Sequence, residues 1–349
     1  MATIQDVAKL AGVSIGTVSR VINNSASVRP RTREAVLKAA SELHYVPSAL
    51  ARGLRGKPSA SIALIISDVS NPFFAALTRG VEDVVAGQGY ALVLGNADRG
   101  REKQRQYTER LLGAGIKGMI VAPGQGTSGD LKRLVQRGVH LVVVDWRCNL
   151  AQVDNVYVDS VGGAAQLVQH LIALGHTRIG VVSGPRGDVT AEDRVAGYRQ
   201  ALERAGLAVD PKLIRFGSFT HESGYTNSLR LLGLKSRPTA LLTCNNRLAA
   251  GAYGAIATAG LRIPTDVSLV SFDDIPFVPD LAGTLTVYAQ PDYEIGRIAA
   301  NLLFDRVIGQ RPPDERREVV LQGRLIERSS SAPPARDVAM RPAAIPVGT

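Results

Sequence analysis

Ile62-Ala63-Leu64-Ile65-Ile66 is a short run, apolar at every position. Such a segment reads as a strand covered on both faces, the kind found in parallel sheets flanked by helices. A helix-period stretch carrying Phe73, Phe74, Leu77, Val81 and Val84 follows it, and then apolar strands at 91–94, 118–122 and 141–144 with helical stretches between. The alternation resumes after Asp159, with a helix at 160–174, a strand at 178–183, a helix at 191–205, the strand Ala240–Thr243, a helix at 247–259 and the strand Ser268–Phe272. Two successive βα series predict an α/β fold of two lobes, each a doubly wound parallel sheet. One more helix at 291–308 and one more strand at 318–325 are expected, and the Ser-, Pro- and Ala-rich tail from Ser329 reads as disordered.

The first sixty residues have a different texture. Thr3 and Asp6 resemble a helix start, with a hydroxyl capping free N–H groups and an acid at the positive dipole end. Ile4, Val7, Ala8 and Ala11 then share one helix face, and Gly12-Val13 breaks it. Ser14 is the next N-cap, Val18, Val21 and Ile22 form the apolar face of a second helix, and a third is expected from about Thr32 to His44. Helix, tight glycine turn, helix is the helix-turn-helix arrangement, whose second helix enters the major groove of DNA. Charge agrees: up to Pro58 there are nine bases and three acids, so six of the chain's ten excess positive charges sit there. With Val18, Val21 and Ile22 inward, Ile15, Gly16, Ser19, Arg20 and Asn23 face outward, and Arg20 has the fork to grip guanine O6 and N7. Thr3, Thr17, Ser19, Asn23 and Arg33 suit phosphate contacts.

The run Thr3-Ile4-Gln5-Asp6-Val7-Ala8-Lys9-Leu10-Ala11-Gly12-Val13-Ser14, followed by Thr17-Val18-Ser19-Arg20-Val21-Ile22-Asn23, resembles the headpiece of the LacI/GalR family of bacterial repressors. The likeness continues through Tyr45-Val46-Pro47-Ser48-Ala49-Leu50-Ala51-Arg52-Gly53-Leu54, the family's hinge helix, and over the following domain to about Ser330. It implies a DNA-binding headpiece at 1–46, a hinge helix and linker at 47–60, and an effector-binding and dimerisation domain at 61–328. That domain has the periplasmic-binding-protein-like fold, with lobe one at about 61–159 and 291–323 and lobe two at about 160–290, ahead of the tail at 329–349. It further implies a cytoplasmic homodimer on a palindromic double-stranded DNA operator, controlled by a small-molecule effector, with Ala51 and Leu54 meeting the minor groove. The chain departs from the family where Gly16 stands at a position that commonly reads a base, and where Asn245-Asn246 replaces the usual Asn-Asp.

By the same resemblance, the effector pocket draws Asn71, Phe73, Phe74 and Asp145 from one lobe, and Thr190, Arg194, Phe219, Asn245, Asp273 and Gln290 from the other or its connections. Aromatic faces beside carboxylates, amides and an arginine suit a polyhydroxylated ligand, a sugar or sugar derivative. A purine-like base between Phe73, Phe74 and Phe219 is the alternative.

Two other functions compete. Gly124-Gln125-Gly126-Thr127-Ser128-Gly129 is formally G-x-G-x-x-G, with Asp145 about twenty residues on, as in an NAD-linked oxidoreductase. That reading leaves the headpiece unexplained, and Pro123 intrudes on the loop. A solute-binding transport protein needs an export signal, and none is read at the N-terminus. No apolar run approaches membrane-spanning length. Cys148 and Cys244 lack metal-ligand spacing and are expected to be reduced, part-buried thiols. His176 reads as a turn residue. No enzyme activity, cofactor or metal is expected.

Overall fold

A computed structural model describes residues 2–22, 27–45, 61–275, 278–309 and 315–335. They fall into a small N-terminal unit, described up to Tyr45, and a large unit, described from Ser61.

In the small unit, α1 (Ile4–Leu10) opens with a reciprocal cap. The Asp6 amide donates to Thr3 Oγ1 at 3.3 Å, and the Thr3 amide donates to the Asp6 carboxylate at 2.8 Å. The Thr3 amide, and the Thr3 hydroxyl donating at 2.7 Å, hold the Asp6 carboxyl below its ordinary range. Gly12, at φ +65°, turns the chain. Helix α2 (Ile15–Ile22) starts on Ser14, whose hydroxyl accepts the Thr17 amide at 3.2 Å. Helix α3 (Pro30–Glu42) begins two residues before Thr32, because a proline with fixed φ and no N–H to lose fits the first helical position. Val7, Val18, Val21, Val36, Ala39 and their neighbours close a core of small side chains. The expected hinge helix, with Ala51 and Leu54, lies outside the described residues, as does Asn23.

The large unit winds the same pattern twice. The first pass is β1 (Ser61–Ile66), α4 (Pro72–Gly87), β2 (Ala91–Asn96), α5 (Arg101–Gly113), β3 (Gly118–Val121), α6 (Ser128–Gln136), β4 (His140–Val144) and β5 (Asp154–Val158). The second is α7 (Ser160–Ala173), β6 (Ile179–Ser183), α8 (Val189–Arg204), β7 (Ile214–Phe216), α9 (His221–Leu232), β8 (Ala240–Thr243), α10 (Asn246–Thr258), β9 (Ser268–Phe272) and β10 (Thr286–Ala289). Helix α11 (Asp292–Val307) and strands β11 (Glu318–Leu321) and β12 (Arg324–Ile326) follow. The sheets have the orders β11-β5-β4-β3-β1-β2 and β12-β10-β9-β8-β6-β7. Both contain the 2-1-3-4-5 order of flavodoxin-like sheets, whose ligand crevice lies at the carboxyl ends of the strands where the order reverses.

Lobe one is completed by chain from the far end of the sequence. Helix α11 packs on α4 at a crossing of two glycines: a Cβ on Gly80 would stand 2.1 Å from the Tyr293 carbonyl oxygen, and one on Gly296 2.0 Å from that of Leu77. The single strand expected at 318–325 is two strands. Strand β11 runs parallel to β5 in the first sheet and β12 antiparallel to β10 in the second, with Gly323 between them donating its amide to the Tyr288 hydroxyl at 2.8 Å. Strands β5, β7 and β10 and helix α9 were not anticipated.

Residues 329–335, the described part of the expected disordered tail, are held in place, while the rest of that expectation, 336–349, lies outside the described residues. Their backbone groups find partners: the Ser330 amide donates to the Thr284 carbonyl and the Leu269 amide to that of Ser330, both at 2.9 Å. His176 is likewise more than a turn residue. It is buried, with Nδ1 2.8 Å from Thr239 Oγ1 and Nε2 3.0 Å from the Ala332 carbonyl, and burial lowers its pKa. Among the described residues no helix is long and apolar enough to cross a membrane.

Candidate functional site

The carboxyl ends of the parallel strands of both sheets face one cleft, and β1–β4 and β6–β10 each deliver a side chain to it from the segment that follows. From lobe one come Asn71, Phe73 and Phe74 after β1, and Asp145 with Trp146 after β4. From lobe two come Thr190 and Arg194 after β6, Phe219 after β7, Asn245 after β8, Asp273 after β9 and Gln290 after β10. The structure therefore brings all ten residues proposed for an effector into one place. It adds Ser67, Arg99 and Asp188, which the sequence reading did not single out, and Pro123, which that reading noted only beside the glycine loop. Position was the available signal for Arg99, which follows β2 as Phe219 follows β7.

The walls differ in chemistry. Phe73 and Phe74 meet edge to face, with ring centroids 5.0 Å apart, and both are buried. Arg194 is 3% exposed, lies with Cζ 4.0 Å above the Phe272 ring and donates to the Cys244 carbonyl. Asn245 caps α10, accepting the Leu248 amide at 2.8 Å. Gln290 donates to Asp273 Oδ1 at 2.8 Å. Among the described residues that line the cleft, three buried donors have no hydrogen-bond partner: Arg194 Nε, Asn245 Nδ2 and Trp146 Nε1. A buried donor left unpaired costs on the order of 1–3 kcal/mol, so each is a place where a ligand oxygen is rewarded.

The carboxylates are perturbed. Burial pushes Asp145 up to about 7 against the opposing charges of Arg194 and Arg99. Burial also raises Asp273, again opposed by Arg194. Backbone strain gathers at the same place. Five described non-glycine residues have positive φ: His44, Asp98, Arg99, Asp145 and Asp273. Three of them, Arg99, Asp145 and Asp273, line the cleft, and Asp98 adjoins Arg99. Left-handed backbone in such residues costs about 1–3 kcal/mol each and clusters where function requires it.

Hydrogen bonds join the lobes across the cleft. Asn246 Nδ2 donates to Asn71 Oδ1 at 2.9 Å, the Thr190 hydroxyl to the Asp145 carbonyl at 3.0 Å, and Gln125 Nε2 to the Arg186 carbonyl at 2.8 Å. The departure at Asn246 thus has a structural consequence: its amide reaches the opposite lobe rather than offering a carboxylate. The cavity in the cleft is about 30 Å³, room for about two waters, against about 300–1,000 Å³ for ordinary ligand pockets.

The glycine loop at 124–129 is not built for a diphosphate. The Gly124 amide donates to Gln104 Oε1 at 3.3 Å, and the first turn of α6 already carries Asp130, paired with Arg101 at 2.9 Å. Both cysteines are buried, and burial pushes the Cys244 thiol up to about 11, far from thiolate reactivity.

In the small unit, Thr3, Ile15, Gly16 and Arg20 are exposed, and Thr17, Ser19 and Arg33 half-buried. Arg20 Nε donates to the Gly16 carbonyl at 3.3 Å, which holds the guanidinium stem along the outer face of α2. Ile15 is 42% exposed, an apolar side chain at the helix start with no core to join.

Comparison with known proteins places both units. The profile described as "Bacterial regulatory proteins, lacI family" matches residues 3–48, and a periplasmic binding protein-like domain matches residues 168–331. The HTH-type transcriptional repressor PurR of Haemophilus influenzae (strain PittEE) is 39% identical over 308 residues, covering 88% of this chain and 91% of the relative. The lac repressor dimer bound to operator and the anti-inducer ONPF superposes with a TM-score of 0.81 at 28% identity, covering 95% of this chain and 99% of that one. A LacI family transcriptional regulator from Enterococcus faecium with bound ribose has a TM-score of 0.68 at 31% identity, covering 78% of this chain and 99% of that one.

Proposed function

This chain belongs to the lacI family of bacterial regulatory proteins, and we propose that it is a cytoplasmic homodimeric repressor that binds a palindromic operator and is controlled by a sugar held between its lobes. As a family member it is a DNA-binding transcriptional regulator and not an enzyme. The observation that carries the effector reading is the trio of unpaired buried donors, Arg194 Nε, Asn245 Nδ2 and Trp146 Nε1, beside the acceptors Asp145 and Asp273 and the rings of Phe73, Phe74 and Phe219. Sugar hydroxyls both accept and donate, and a sugar ring offers C–H faces to aromatics. The ribose-bound neighbour supports a small sugar. Calorimetric titration of the full chain with D-ribose, beside a panel of pentoses, hexoses and purine bases, tests this. Saturable binding of a sugar that quenches Trp146, the chain's single tryptophan, is the expected result; binding of bases alone overturns it.

On the DNA side, Ile15 and Arg20 on the exposed face of α2 are proposed to meet base edges, with Gly16 lying against the DNA without reading a base, while Thr3, Thr17, Ser19 and Arg33, together with Asn23 outside the described residues, are proposed to hold phosphates. Replacing Arg20 by Ala should cost about 1–3 kcal/mol at one guanine and relax preference there. Equal weakening on every sequence would make Arg20 a phosphate contact only. A dimer doubles the small interface of one headpiece and matches a two-fold operator. Lobe one is proposed to supply the contact, including helix α4 after Pro72; among the described residues β2 is an edge strand, with Val93 and Leu94 37% and 42% exposed, which supports pairing on that side. Ala51 and Leu54 are proposed to enter the minor groove when the hinge orders on DNA.

A further inference from the structure

Phe219 has one ring and two claimants. On one side it lies against bare backbone, where a Cβ on Gly184 would come within 2.2 Å of the ring. Over the ring stands Arg99, its guanidinium carbon 4.5 Å from the centroid. The guanidinium is delivered deliberately. Asp98 and Arg99 take consecutive left-handed conformations, φ +48° and +57°, a cost that the surroundings must over-determine. They do so: the Arg99 amide donates to the Ser67 carbonyl at 3.0 Å, and Asp98 is gripped by Asn96 at 2.8 Å and by Lys103. Gly124 leaves room for the turn, since a Cβ there would stand 3.1 Å from the Arg99 carbonyl oxygen. Asp145 and Asp188 share the cleft, yet among the described residues neither forms an ion pair with Arg99. The cation sits on the ring, and with it there the cavity is about 30 Å³.

We propose that Arg99 is the resident occupant of the ring-stacking subsite: an effector reaches the face of Phe219 only by displacing this guanidinium, so Arg99 sets the concentration at which the cleft responds. A cation over an aromatic face and a ring stacked on it require the same space. Effector binding is then a competition, and its apparent affinity is the intrinsic affinity scaled by the fraction of molecules in which Arg99 has left the ring. This rests on the reading of the cleft as an effector site.

The test has two arms on the full chain. The first needs no ligand: with labelled arginine, the Arg99 side-chain protons should be shifted upfield by the ring current of Phe219, and Phe219→Leu should abolish the shift. An Arg99 signal without a ring-current shift overturns the proposal. The second uses D-ribose as probe. Arg99→Gly keeps the left-handed backbone unstrained, so it should fold, and it should bind ribose roughly tenfold more tightly than the unaltered chain. Ribose saturation should erase the upfield shift in the unaltered chain. Weaker or equal binding by Arg99→Gly makes Arg99 a ligand contact or a bystander and overturns the proposal. Failure of ribose to bind even Arg99→Gly, with the upfield shift intact, counts instead against the sugar reading and for the stack.

Discussion

The two lobes are one winding used twice, yet they furnish the cleft differently. Strands β4 and β9 hold corresponding places in their sheets, and each ends in a left-handed aspartate, Asp145 at φ +57° and Asp273 at +63°. Strands β2 and β7 also correspond, and their end residues, Arg99 and Phe219, meet across the cleft. Elsewhere the symmetry lapses. Lobe one contributes the rings of Phe73, Phe74 and Trp146; lobe two contributes Thr190, Arg194, Asn245 and Gln290. A repeated backbone thus supplies equivalent positions, and side-chain identity divides the labour unevenly: lobe one brings three of the cleft's four rings, with Phe219 the fourth, and lobe two brings two of its three unpaired donors, with Trp146 Nε1 the third. Closing such a cleft couples the two kinds of recognition, because neither wall alone surrounds a ligand.

That division predicts unequal losses. The largest belongs to lobe two. Arg194→Ala removes a charged, buried hydrogen-bond donor, so sugar affinity should fall by more than tenfold and toward several hundredfold, while the ligand-free protein still binds DNA. Calorimetry and fluorescence anisotropy read the two properties separately, and an equal loss in both breaks the assignment. Phe73→Leu keeps the buried volume near and removes the ring face, so sugar affinity should fall only several-fold. A larger loss there than in Arg194→Ala would reverse the comparison.

The smallest effect concerns what the lobes share. The folded protein holds the proton of Asp145 to about pH 7, above the unfolded value near 3.8. It therefore binds more protons than the unfolded chain between those values, and stability falls as the pH rises through that window. The slope from Asp145 is at most about 1.4 kcal/mol per pH unit. Asp273 is shifted in the same direction and adds to it. Asp145→Asn should flatten the profile between about pH 4 and 7 in denaturant titrations; an unchanged slope would mean that the carboxylate is solvated.

Much of this was legible in the chain because the signals are local. Caps at Thr3 and Ser14, the break at Gly12 and the apolar strands β1, β4 and β9 depend on a few neighbouring residues. The ten cleft residues came into view through the family resemblance, and the parallel sheets then bring their strand ends together. What escaped depends on distant partners. Strand β5 is mixed in character, Asp154-Asn155-Val156-Tyr157-Val158, because Asp154 is buried in an ion pair with Arg306 at 2.6 Å and Asn155 bonds the backbone of Val143, Trp146 and Cys148. Helix α9, with His221, Glu222, Ser223 and Asn227, is polar enough to pass for loop, and its glycine at 224 is seated by contact with Leu248 of α10. The order of residues 329–335 comes from carbonyls and amides in β9 and the loop before β10, which no local composition records. Arg99 was missed because a basic residue between Asp98 and Gly100 reads as an exposed turn.

The central claim is that a ligand in this cleft governs how tightly the small N-terminal unit holds DNA. The most direct measurement selects a preferred duplex from a random pool with the full chain. It then measures affinity for that duplex with and without saturating D-ribose, in parallel with Asp273→Ala. The coupling expected of a ligand-controlled regulator is about 1–3 kcal/mol, so ribose should change DNA affinity by about 5- to 150-fold in the unaltered chain and leave Asp273→Ala unmoved. DNA affinity that stays constant while ribose fills the cleft, or that shifts equally in Asp273→Ala, would contradict it.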